Sequence, residues 1–301
     1  MRTSASALVL AMTVLLGTGC GGPDDKPTSR ESPTPTGAPQ STRFAYGDTS
    51  DNFGDLYLPN QHASDLPVIV MMHGGGWQQQ TNLAYTEALA ADLAAHGVAV
   101  WNIEYRRVGG AGGWPTTLAD VDAATDALAT IVRPGCGGCL NLDSVHVIGH
   151  SAGGHLAAWL AGRHTLDRPD APGADPQVRL ASATILAGVL DLRLAVTDGH
   201  DRYVRALLDG TPDERPTRYQ IASPIEHLPI GLPVTVIHGD ADTVVSVEHS
   251  RRYAAAARIA GDPVTSQILP GIGHADFADL TSPAWAAAKT AVLERINSRP
   301  R

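Results

Sequence analysis

Gly149-His150-Ser151-Ala152-Gly153 has the pattern G-x-S-x-G, in which small flanking residues let a sharp turn thrust a serine hydroxyl outward. A serine hydroxyl attacks an acyl carbon only when a histidine takes its proton and a buried carboxylate holds that histidine in one tautomer. Carboxylates stand together in Gly239-Asp240-Ala241-Asp242. Asp242 is the stronger candidate because it lies further out on its loop and precedes Thr243-Val244-Val245, whereas Asp240 is placed to bond the turn backbone. Asp191 is an outside candidate. Among histidines, His274 lies in Gly271-Ile272-Gly273-His274, after the last apolar run. His150 and His155 flank the serine and His238 ends an apolar run, positions that read as packed or surface histidines. In His73-Gly74-Gly75-Gly76-Trp77, three glycines let backbone N–H groups turn into a cavity. Gly75 or Gly76, with Ala152, would form an oxyanion hole. His73 reads as a structural hydrogen bonder, and Trp77 either lines an acyl pocket or packs.

These residues need elements to position them. With 31 glycines in the chain, G-x-S-x-G alone is weak evidence. Apolar runs at Val68–Met72, Val98–Ile103, Val145–Ile148, Ala183–Val189, Val234–His238 and Ser266–Leu269 read as strands. Helical patterns occupy Leu83–Ala95, stopped by Gly97, then Pro115–Val132 and a stretch from Ala152 to Leu160. Others cover Tyr203–Leu208, Val247–Ala260 and Ala284–Ile296. Alternation of this kind predicts an α/β fold with a mostly parallel sheet covered by helices on both faces. Ligands then bind beyond the carboxyl ends of the strands. The glycine loop, Ser151, the acidic loop and His274 each follow a predicted strand.

Together, HGGGW, WNIEYRRVG, GHSAGGH, SPI and GDADTVV, within Phe44–Ile296, resemble the α/β-hydrolase superfamily. More narrowly they are similar to bacterial esterases of the acetyl/feruloyl-esterase and kynurenine-formamidase-like branch, and to the catalytic domains of prolyl oligopeptidases. The resemblance implies an α/β-hydrolase fold and the chain order Ser151, Asp242, His274 for nucleophile, acid and base. It also implies hydrolysis of small or medium acyl esters through an acyl-enzyme, with no metal or cofactor. An aryl-formamide hydrolase, a peptidase of the same fold, or a lipid-anchored binding protein that has lost catalysis are the competing readings. The short stretch before His73 leaves little room for the extra domain of such peptidases or for a helical N-terminal cap. The insertion Asp191–Pro233, rich in Pro, Arg and Asp, is long enough for a partial cover and is not a greasy lid.

The first 42 residues differ from the rest. Arg2, then the apolar run Ala7–Leu16, then small residues up to Cys20 predict a signal peptide over residues 1–20, too short for an ordinary membrane span. Gly17-Thr18-Gly19-Cys20 resembles a bacterial lipoprotein signal, which would make Cys20 the site of lipidation. Five prolines among polar residues predict an unfolded tether over residues 21–42, ahead of a catalytic domain over residues 43–301. The expected location is the outer face of the cell membrane, or secretion. Export implies an oxidising compartment, so Cys136 and Cys139 are expected to form a small disulfide; no second cysteine pair stands ready to complete a zinc site. A formal net charge of -9 argues against a nucleic-acid partner. A small-molecule ester is the expected partner, and the sequence leaves the oligomeric state open.

Overall fold

A computed structural model describes residues 41–59, 64–169 and 171–298. The expected signal and most of the expected tether, Cys20 included, lie outside the described residues. Among the described residues, eight strands form one sheet in the order β1-β2-β4-β3-β5-β6-β7-β8. They are β1 Ser41–Ala45, β2 Phe53–Tyr57, β3 Leu66–Met72, β4 Ala99–Ile103, β5 Leu140–His150, β6 Ser182–Leu186, β7 Val234–Gly239 and β8 Val264–Leu269. From β4 to β8 the strands run parallel, and β2 joins antiparallel at one end.

The helices are α1 Glu87–Ala94, α2 Thr116–Ala127, α3 Arg133–Gly135, α4 Ala152–Gly162, α5 Leu192–Thr197, α6 Arg202–Leu208, α7 Pro216–Ala222, α8 Glu248–Ala260 and α9 Pro283–Asn297. Successive side chains of a strand point to opposite faces, and β3 shows why both faces need cover. Val68, Val70 and Met72 join Leu118 and Val121 of α2 and Leu156 and Trp159 of α4 in one core. Ile69 and Met71 join Leu89 and Leu93 of α1 and Trp285 and Val292 of α9 in another. The central strands are therefore apolar on both sides, as buried parallel strands are.

Several predicted boundaries move. The expected helix Leu83–Ala95 is a 3-10 turn, Leu83–Tyr85, followed by α1. Thr86 separates them, its hydroxyl bonding Leu83 O and Asn102 Oδ1 rather than leaving the backbone to run on. The stretch Pro115–Val132 is α2 continued by a π-helical turn, Leu128–Val132. The strand expected over Ala183–Val189 ends at Leu186, because Ala187 turns to a φ of 45°. β5 begins earlier, since Leu140 pairs with Leu66 across an irregularity at Pro67/Val68. The insertion carries α5, α6 and α7.

Candidate active site

Ser151 sits between the end of β5 and the start of α4, at φ 58° and ψ −120°. A left-handed φ is strained for a residue with a side chain, and such strain persists only where the surroundings over-determine it. Here they do. A Cβ on Gly149 would lie 2.1 Å from Gly153 O, and one on Gly153 would lie 2.2 Å from Met72 O. The backbones of β5, α4 and the end of β3 thus pack without side chains between them, and Ser151 N–H is held by Leu186 O at 2.9 Å.

The glycine loop approaches from the end of β3. A Cβ on Gly74 would meet His150 O at 3.0 Å, so this loop also lies directly against the serine turn. Gly75 and Gly76 have φ of 101° and 62°. Among the described residues, the N–H groups of Gly75, Gly76 and Ala152 donate to no protein acceptor. The positive end of α4 points the same way.

His274 follows β8 and starts a short 3-10 turn, Ala275–Ala278. Its Nδ1–H donates to Asp242 Oδ2 at 2.7 Å. The Asp242 side chain is fully buried, and its Oδ1 accepts N–H groups from Val244 at 2.8 Å and Val245 at 2.9 Å. His238 Nε2 lies 3.2 Å from Oδ2 on the other side. Burial pushes the Asp242 carboxyl upward, but hydrogen bonds from His238, His274 and Val245 N–H outweigh it and hold the group well below the usual carboxylate range. An ionised Asp242 keeps the proton of His274 on Nδ1 and leaves Nε2 for the serine side.

Ser151, Asp242 and His274 line one cavity of about 1360 Å³, shared with Gly75, Gly76, Trp77 and Ala152. The other candidate carboxylates lie elsewhere. Asp240 Oδ1 accepts Gly271 N–H at 2.7 Å, pinning the loop before His274. Asp191 caps α5 through Leu194 N–H and lies 3.8 Å from Arg252. His73 bridges Gly74 O at 2.8 Å and Glu104 Oε1 at 3.0 Å. Hydrogen bonds from His73, Arg107 and Tyr105 N–H overcome the burial that would raise Glu104 and hold its carboxyl below its ordinary range. Cys136 and Cys139 are joined by a disulfide with Cα atoms 5.6 Å apart. Among the described residues no cluster of three or more His, Cys, Asp or Glu is arranged to hold a metal ion, and no helix is long and apolar enough to cross a membrane.

Sequence reasoning missed several residues around the cavity. Tyr85 lines it and shares a 2.7 Å hydrogen bond with His150 Nδ1; the His150 ring lies 4.5 Å from that of His274. Burial drives the His150 pKa down to about 3, so the ring beneath the candidate base stays neutral. Arg202 and Tyr203 of α6 line the mouth, with Tyr203 against Gly76. No spacing links residues of the insertion to the glycine loop. His238 was the readable case, since it stands four residues before Asp242.

A mostly parallel sheet between two helical layers, with a serine on a strand-to-helix turn and a histidine–aspartate pair beyond later strands, defines an α/β-hydrolase. The BD-FAE family model matches residues 54–256, and the chain belongs to that family. It is 31% identical over 245 residues to Esterase LipC of Mycobacterium tuberculosis, covering 77% of this chain and 59% of LipC. It is 23% identical to kynurenine formamidase of Danio rerio, covering 76% of this chain and 72% of that protein. The chain thus spans little more than half of LipC, and 58% of the M. tuberculosis esterase LipQ. Among solved structures, a truncated carbohydrate esterase from gut microbiota matches with a TM-score of 0.72 at 22% identity, over 88% of this chain and 99% of that one. Esterase B of Lactobacillus rhamnosis matches with a TM-score of 0.72 at 17% identity, over 86% of this chain and 87% of that one. At such identities the likeness speaks for the fold.

Proposed function

We propose that this protein is a serine carboxylic-ester hydrolase that acts on small or medium acyl esters through an acyl-enzyme. The observation that carries this reading is the 2.7 Å contact of His274 Nδ1 with buried Asp242, on a cavity that also presents Ser151. Ser151 Oγ attacks the ester carbonyl while His274 Nε2 takes its proton. The carbonyl oxygen becomes an oxyanion facing the N–H groups of Ala152 and Gly75 or Gly76. Collapse expels the alcohol, which receives the proton from His274. Water then attacks the acyl-serine with the same histidine as base, releasing the acid and restoring Ser151. Esterases among the relatives support the ester reading, and the formamidase among them makes aryl formamides the second class to try.

Full-length protein and Ser151→Ala, compared on a panel of p-nitrophenyl esters and an aryl formamide, test this reading. Turnover of short esters that Ser151→Ala abolishes is the expected result. Equal rates for the two proteins would remove Ser151 as nucleophile, and no turnover of any substrate would favour a binding protein.

We further propose that residues 1–20 direct export, that Cys20 is acylated, and that residues 21–42 tether the catalytic domain to the outer face of the membrane. The apolar run before Cys20 and the disulfide in the catalytic domain support this. Mass spectrometry of the membrane fraction should find an acylated N-terminal cysteine; an unmodified mature N-terminus there would rule out the anchor.

A further inference from the structure

The glycine loop contains one residue that ought not to be where it is. Gln78 N–H closes a turn onto Gly75 O at 3.1 Å, and the two central residues, Gly76 and Trp77, have φ of 62° and 57°. Two successive left-handed residues are the pattern of a type I′ turn, which glycine and asparagine fill readily and a bulky aromatic does not. Trp77 nonetheless adopts it while almost wholly buried at 1% exposure. Strain of this kind requires something that holds the residue in place.

His155 supplies the hold. Trp77 Nε1–H donates to His155 Nδ1 at 3.2 Å, and the two rings meet edge to face with centres 5.2 Å apart. His155 Nε2–H in turn donates to Ala222 O at the end of α7, at 2.9 Å. His155 lies one turn beyond the nucleophile on α4, its N–H bonded to Ser151 O at 3.0 Å. Burial lowers its pKa to about 4, so the ring stays neutral and keeps the lone pair that accepts from Trp77. Trp159, the next residue on that face of α4, donates its indole N–H to Ile221 O at 2.9 Å, so the α7 end is fixed twice.

We infer that His155 is a positioning residue for the oxyanion hole: through Trp77 it locks the strained Gly76-Trp77 turn onto the helix that carries Ser151, and it anchors that lock to the insertion. This rests on the ester-hydrolase reading above. The loop amides and the Ala152 amide must converge on one oxygen, and His155 ties the loop to the helix on which Ala152 stands. The bond to Trp77 therefore acts on turnover, while the bond to Ala222 acts on the stability of the insertion.

Two conservative replacements separate the bonds. Asn keeps an acceptor near the Nδ1 position but loses reach to Ala222, and Gln keeps a donor near Nε2 but loses the acceptor for Trp77. Expected for His155→Asn is a kcat close to wild type. Expected for His155→Gln and for Trp77→Phe is a kcat lowered by about tenfold with KM little changed, less than the ~10²–10³-fold loss of an oxyanion donor itself. Affinity for an aryl boronic acid, which forms a tetrahedral adduct on the serine, should fall in parallel. Wild-type kcat in Trp77→Phe, or His155→Gln more active than His155→Asn, would overturn the inference and leave His155 as a packing residue. A wild type whose turnover does not depend on Ser151 sinks the hydrolase reading instead, so the two failures are distinguishable.

Discussion

Asp242 differs from Asp240 by two positions and by everything that surrounds it. The Asp242 side chain is buried between His238 and His274, and Asp240 is tied to the turn backbone at Gly271. Asp242→Asn preserves shape but presents an amide that no longer holds His274 in the required tautomer. We expect kcat to drop by about 10⁴-fold with the circular dichroism spectrum unchanged. Asp240→Asn should cost much less, because it keeps an acceptor for Gly271 N–H. The reverse ranking in steady-state kinetics would reassign the acid. At this scale Ser151, Asp242 and His274 were readable because each stands in a short motif behind an apolar run. His155 was not: a histidine four residues beyond the serine looks like any packed helix residue until Trp77, far away in sequence, is seen against it.

The elements that position the serine turn meet through glycine. A Cβ at Gly153 would stand 2.2 Å from Met72 O and 2.5 Å from His73 O, both backbone atoms that cannot swing aside. Gly153→Ala must therefore push α4 off the end of β3. Loss of soluble protein, or soluble protein with turnover reduced by orders of magnitude, is expected; a folded variant with wild-type kcat would show that the close packing does not matter. Gly97, whose added Cβ meets nothing within 4 Å, ends the segment after α1 with φ 88°. There Gly97→Ala meets only the left-handed backbone strain, about 1–2 kcal/mol, and should keep activity. The buried parallel strands were legible because burial on both faces makes them continuous apolar runs. The antiparallel strands β1 and β2 escaped, being short and mixed, with the edge strand β1 mostly exposed. Of the helices in the insertion, α6 was read from its apolar spacing, whereas α5 and α7, at six and seven residues, are too short to show a helical period.

For the whole molecule, several buried histidines set the response to acid. Burial lowers His150 to about 3 and His155 and His249 to about 4, from an ordinary value near 6.5. Between pH 6.5 and 4 the unfolded chain therefore binds more protons at these sites than the folded one. Their neutral burial carries no penalty well above pH 6.5, and stability falls as pH drops through and below that value, by up to about 1.4 kcal/mol per histidine per pH unit. Asp242 and Glu104, held low in the fold, add their loss only at more acid pH, below the unfolded carboxylate range. Urea midpoints at pH 7.5, 6.5 and 5 should fall slightly over the first interval and steeply over the second. A midpoint unchanged down to pH 5 would contradict the burial of these rings. None of this could be read from the twelve histidines in the sequence, since burial, not identity, decides it.

The two cores on opposite faces of the sheet hold different parts of the chemistry. Trp77, Ala152 and Leu156 belong to one, and Phe277, in the turn that His274 begins, belongs to the other. The nucleophile and its base are thus bolted to separate slabs, and their alignment is a differential measurement between them. A slight slip of either slab, too small to register as melting, misaligns the pair. Catalytic rate should therefore serve as a strain gauge for the whole fold, fading on heating before ellipticity does.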